Sequence, residues 1–199
     1  MPPIVDADAL VVLGGSMSCQ DDAEAPWLAP TRQLISRTVR AGTPFLGICL
    51  GHQLATVALG EQVCTSDHFC LGAAEMHLTP EGKKDPLLSV YDGHRGIHFN
   101  NDVAVVLPED AVLLARDPTG QIEAVRFAER AWGVQFHPEC TPEIFDAWTI
   151  GHGEKEWQQR LPWSEAVTVA ETVRRDIDTV NAEEAFAARF QELIDPEKR

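Results

Sequence analysis

The sequence predicts an α/β protein built on a doubly wound, mostly parallel sheet with flanking helices. Three observations carry this. Two apolar runs, Ala9–Leu13 and Pro44–Ile48, have the length of buried strands, and each runs into a glycine-containing turn. The segments after them have apolar residues at helical spacing. Strand, helix, strand, helix is the rhythm of this architecture.

The first helix is expected from Trp27 to Ala41, with Leu28, Leu34, Ile35 and Val39 at roughly helical spacing and Gly42 as its stop. The second runs from Leu50 to Leu59 and closes at Gly60. Short strands are expected at 74–78 and 97–99. Better candidates are 111–115, 123–127 and 132–136, where apolar and β-branched residues concentrate. The segments 86–88 and 117–120 read as turns. Thr141 and Pro142 fit the N-cap and first position of a further helix. From Trp163 to Ile194 the chain is charged and helical in pattern, with Val169, Val173, Ile177, Val180, Phe186, Phe190 and Leu193 as an apolar stripe. Residues 1–8 are too few for the strand and helix that normally open such a domain, so one side of the sheet is expected to be uncovered.

The bulk properties narrow the function. The chain has 199 residues, 44% hydrophobic and 24% charged, which suits one domain with a sizeable core. A net charge of −15 repels nucleic acid and anionic membranes, so neither is expected as a partner. No apolar stretch is long enough to span a bilayer, and the N-terminus lacks a signal-peptide pattern. The five cysteines, at positions 19, 49, 64, 70 and 140, are odd in number and form no C-x-x-C pair. That usage predicts reduced thiols in a cytoplasm, where a reactive one can persist.

The segment Gly47-Ile48-Cys49-Leu50-Gly51-His52-Gln53 carries the most chemistry. It has the strand–turn–helix logic of a nucleophile elbow, with glycines two residues on either side of the cysteine. A helix N-terminus and a histidine both favour the thiolate, the form that attacks an amide. His137 is the candidate base. It follows the strand at 132–136, on the same carboxyl edge of the sheet as Cys49. Glu139, two residues on, can accept the other imidazole N–H and fix the ring. The backbone N–H groups of Gly15 and Leu50 are the candidate oxyanion donors, each typically worth ~3 kcal/mol in a transition state.

On these residues, together with Val12-Leu13-Gly14-Gly15-Ser16-Met17-Ser18 and Gly133 to Glu139, the sequence resembles the class I (triad) glutamine amidotransferases. It looks most like the stand-alone group similar to the glutaminase domain of GMP synthase. The resemblance covers about Asp6 to Ile150. It implies a flavodoxin-like fold over residues 1–150, lacking the usual first strand–helix unit, with residues 151–199 as a helical extension on the same domain. It implies glutamine hydrolysis through a γ-glutamyl thioester on Cys49, a triad completed by His137 and Glu139, oxyanion donors at Gly15 and Leu50, and no cofactor. Gly14, Gln53 and the loop Asn100-Asn101-Asp102 fall at substrate-side positions. Two places depart from the family pattern. Relatives usually carry His-Gly-Asp where this chain has Asn100-Asn101-Asp102, and an acidic residue near Cys70. Those departures motivate a second reading, hydrolysis of a γ-glutamyl peptide or conjugate. The missing opening unit motivates a third, a non-catalytic regulatory or binding subunit on the same scaffold.

No room remains for an ATP-using synthetase domain, and no phosphate loop occurs, so the ammonia acceptor is expected on a separate synthetase subunit. The charged C-terminal helix reads first as a solvated face; if it docks anything, that synthetase partner or a second copy in a homodimer is the natural candidate. Cys64, His68, Cys70 and His77 match no familiar zinc spacing, and no metal is expected. His94 and His98 read as loop or strand residues, His52 as a packing residue, Cys140 as a small core residue, and Trp148, Trp157 and Trp163 as anchors for the C-terminal helices.

Overall fold

A computed structural model describes residues 7–150, 167–168, 171–175 and 182–195. Its central sheet has six strands: β1 (Leu10–Val12), β2 (Phe45–Ile48), β4 (His77–Leu78), β6 (Val112–Arg116), β7 (Ile122–Ala128) and β8 (Ala131–Val134). Their spatial order is β1-β2-β8-β7-β6-β4. β1, β2 and β8 pair in parallel, while β7, β6 and β4 join by antiparallel pairs. β6 therefore runs with the parallel trio, and four of the six strands point one way. β2, covered on both faces, is buried at every position, as its unbroken apolar run requires. β1 lies at the sheet edge, with Val11 and Leu13 exposed.

α1 (Leu28–Arg40) and α2 (Leu50–Ala58) follow β1 and β2. α1 buries Leu28, Thr31, Leu34, Ile35 and Thr38, carries Arg37 and Arg40 in its last turn where the helix dipole favours cations, and stops before Gly42, at φ +71°. α3 (Pro142–Ile150) starts where Thr141 predicts: the Thr141 hydroxyl accepts from Ile144 N–H at 3.3 Å.

Two parts differ from the sequence reading. Residues 74–75 of one expected short strand and all of the one expected at 97–99 belong to a long antiparallel arm, β3 (Val63–Glu75) against β5 (Arg95–Ala104), separate from the central sheet. β3 has no clean alternation, and its register shifts between Thr65 and Cys70. Pairing with β5, not pattern, makes it a strand. The 74–78 run is divided between β3 and β4, with Met76 between them. The C-terminal stripe also divides. Val173 packs with Ile97, Cys140 and Phe145 under the arm. Phe186 and Phe190 of α4 (Glu183–Ile194) pack with Tyr91, Trp132 and Phe136 beneath the central sheet. Val169, Ile177, Val180, Trp157 and Trp163 lie outside the described residues.

His52 on α2 is fully buried, and both its ring nitrogens lack a hydrogen-bond partner. It sits against Gly133, where a Cβ would stand 2.4 Å from its Nδ1, and beside the Phe127 ring at 5.8 Å. Burial pushes the imidazole pKa down to about 4. The unfolded chain therefore takes up this proton first as pH falls. Stability from this site is full above ~6.5 and is lost progressively down to about pH 4, a loss of about 3 kcal/mol. Urea unfolding of wild type and His52→Leu at pH 7 and pH 4.5 checks this: the wild type should lose more stability between the two than the variant.

Candidate active site

Cys49 stands between β2 and α2 with φ +49° and ψ −105°, the one non-glycine residue with positive φ among the described residues. Such a conformation costs on the order of 1–3 kcal/mol and persists only where the surroundings enforce it. Here the enforcement is backbone packing. A Cβ on Gly47 would lie 2.6 Å from Gly51 C, and one on Gly51 only 2.0 Å from Val12 O. The glycines flanking the cysteine are thus required by close approach of α2 to β2 and β1. Cys49 N–H donates to Val134 O at 2.8 Å, tying the elbow to the strand that leads to His137.

His137 follows β8, and its N–H donates to Ile97 O at 2.8 Å. Its Nδ1 lies 2.8 Å from Glu139 Oε1. Nε2 is buried, and Cys49 is the ring's second polar neighbour besides Glu139. A Cβ on Gly14 would lie 2.9 Å from His137 Cε1 and 3.6 Å from Cys49 Cβ, so thiol and imidazole flank the same backbone atom. A Cβ on Gly15 would meet Leu50 Cδ2 at 2.8 Å, which places the two candidate oxyanion residues side by side. Leu50 opens α2, where first-turn N–H groups have no helical acceptor. Burial alone would push the His137 pKa down. The hydrogen bonds and charges of Cys49 and Glu139 outweigh it and raise the pKa to about 10, so the ring is held as imidazolium at neutral pH.

The remaining candidates form a second layer. Gln53 is buried, and its amide nitrogen donates to Asp102 O at 2.8 Å and to Gln135 Oε1 at 3.3 Å. Asn100 Nδ2 donates to the same Asp102 carbonyl at 3.3 Å, while its Oδ1 is buried without a partner. Asp102 Oδ1 accepts from Thr65 at 2.9 Å, and Asn101 is half-buried between them. In the β3–β5 ladder Cys70 stands opposite Asn100, so the two departures from the family pattern face each other.

Some contributors are invisible in sequence. Trp148, expected as an anchor, lies over His137 with ring centroids 4.6 Å apart, and Phe99 stands 5.8 Å from Trp148. Its place on a helix starting just after the His137 segment was the available signal. His98 and Glu123, read as ordinary strand residues, form a buried pair at 2.6 Å. Burial raises Cys19 and Cys70 to about 11 and Cys140 to about 12, with nearby carboxylates adding to it, so these thiols stay protonated at neutral pH. Among the described residues no group of three or more His, Cys, Asp or Glu side chains could hold a metal ion.

The sequence model for "Glutamine amidotransferase class-I" matches residues 3–151. The chain is 32% identical over 161 residues to YfeJ, a glutamine amidotransferase-like protein of Salmonella typhimurium, covering 78% of this chain and 66% of that one. It is 28% identical over 139 residues to one of the subunits of a glutamine-hydrolysing GMP synthase from Methanothermobacter thermautotrophicus, covering 67% and 66%. The chain thus spans just under two thirds of the length of these relatives. A glutamine amidotransferase crystal structure from Methylobacillus flagellatus superposes with a TM-score of 0.80 at 24% identity, over 98% of this chain and 80% of that one. One from Thermotoga maritima gives 0.78 at 20% identity, over 98% and 81%. With most of its length matched by the family model, and with the family's fold, the chain belongs to the class-I glutamine amidotransferases.

Proposed function

We propose that the chain hydrolyses the side-chain amide of glutamine to glutamate and ammonia. The observation that carries the reading is the meeting of Cys49 and His137 around the Gly14 backbone, with Glu139 on the far side of the ring. Cys49 Sγ, its proton held on His137 Nε2, attacks the carboxamide carbon. The oxyanion is received by the N–H groups of Gly15 and Leu50. The C–N bond then breaks, His137 gives the proton to the departing ammonia, and a γ-glutamyl thioester remains. Water, deprotonated by His137, attacks the thioester and returns the sulfur to the pair. Glu139 fixes the ring so that Nε2 faces the sulfur at both stages. The released ammonia would pass to a separate synthetase polypeptide, in keeping with relatives named as single subunits of GMP synthase.

One observation favours a wider substrate range. The Asn100 side chain and the facing Cys70 bring no charge to the second layer, and Asn100 Oδ1 has no protein partner. A γ-glutamyl peptide or conjugate is therefore the second reading. Rates on glutamine and on a series of γ-glutamyl dipeptides decide between them, and a kcat/KM at least about tenfold higher for glutamine removes the second.

Two further outcomes follow from the proposed chemistry. Cys49→Ala should lower glutamine-dependent ammonia release by at least about 1000-fold; equal rates in variant and wild type would end the enzyme reading. For pH, activity needs the His137 imidazolium, so the basic limb should fall as pH passes about 10. Glu139 helps raise that value, so Glu139→Gln should move the limb toward lower pH and cut kcat by at least about 100-fold. A pH–rate profile in which the variant's basic limb stays in place would contradict the role given to Glu139.

A further inference from the structure

His98 and Glu123 sit away from the reacting atoms, and both side chains are about 3% exposed. His98 is on β5 in the arm, and Glu123 is on β7 in the central sheet. His98 Nε2 lies 2.6 Å from Glu123 Oε2, and Nδ1 lies 3.0 Å from Gly96 O. Both ring nitrogens face an acceptor. A neutral imidazole has a single N–H, so satisfying both bonds requires the imidazolium. The groups around the pair are few. His137 faces His98 from the loop after β8 and disfavours its charge, and the protonated Cys70 thiol lies near Glu123 from β3. Glu123, by its charge and its hydrogen bond, is the main group favouring the charged ring.

The backbone around this pair gives it a use. Gln135 N–H donates to Glu123 O at 2.8 Å, and His137 N–H donates to Ile97 O at 2.8 Å. The tripeptide Gln135-Phe136-His137 is thus held at one end by β7 and at the other by β5. The side chain of Glu123, one anchor residue, is joined to that of His98, the neighbour of the other anchor Ile97, across the gap between the two sheets. We propose that His98 and Glu123 are positioning residues for His137, their ion pair locking the arm to the central sheet so that the imidazole is held against Cys49. A buried ion pair is weak evidence for stability, since apolar replacements of similar size are often as stable or more so. Its value here is geometric. An error of about 1 Å in a catalytic group can cost about 100-fold in rate.

The inference rests on the Cys49–His137 reading, and its test is chosen to separate the two. Glu123→Gln and the double variant His98→Gln/Glu123→Gln keep size and polarity but remove charge. They are made in the full chain and checked for folding by circular dichroism and melting temperature. In the folded variants, alkylation of Cys49 by iodoacetamide at pH 7, followed by peptide mass spectrometry, should slow by about tenfold or more; kcat for glutamine should fall by about 100-fold with KM within about threefold. Alkylation needs no substrate. A wild type that alkylates readily but releases no ammonia refutes the glutamine reading and leaves the positioning test intact. A folded double variant within about twofold of wild type in both readouts would reduce the pair to a structural tie and overturn the proposal. The wild type supplies a check independent of any variant: ring ¹⁵N shifts of His98 at pH 8 should report both nitrogens protonated, and a neutral ring there would equally overturn it.

Discussion

The candidate site depends on one close approach, the first turn of α2 lying directly on the backbone of β1 and β2. Gly47 and Gly51 permit it, and no other residue type would fit at either position without displacing main chain. That contact forces Cys49 into a conformation that side chains avoid and holds the buried thiol at the carboxyl end of β2. Without the approach α2 would stand off the sheet, the elbow would relax, and Leu50 and Gly15 would separate.

A second constraint concerns charge. The chain is strongly acidic, yet the elements under the site are lined by apolar groups, and the ionisable ones are handled in different ways. His52 is kept neutral by burial alone, because no acceptor reaches it. His137 and His98 are also buried, but each faces a carboxylate that outweighs the desolvation. The three buried histidines thus differ in the direction of their pKa shifts because of their partners, not their exposure.

Much of this was legible in the sequence. Cys49, His137 and Glu139 stand in short, sharp local patterns at strand ends, and parallel topology brings such ends to one edge. α1, α2 and the Thr141 start of α3 follow from spacing and capping. The arm was not legible. Ser66 and Asp67 carry no strand signal, and β3 exists because β5 pairs with it across a register shift. Everything that depends on the arm was hidden with it: the His98–Glu123 bond between sheets, the shared Asp102 carbonyl between Gln53 and Asn100, and the Trp148 ring over His137. The division of the C-terminal stripe was hidden for a related reason. Helical periodicity says which side of a helix is apolar, but not which of two surfaces will cover it.

The parallel pairing of β2 with β8 has a consequence for biogenesis. These neighbours are separated by most of the domain's sequence, and only their pairing brings His137 to Cys49. Such long-range closure comes slowly, after local helices and hairpins have formed. A nascent chain therefore carries Cys49 for a long stretch of synthesis before His137 stands beside it. Cys49 and His137 meet only when β8, the last-made strand among the described residues, slides into the slot beside β2.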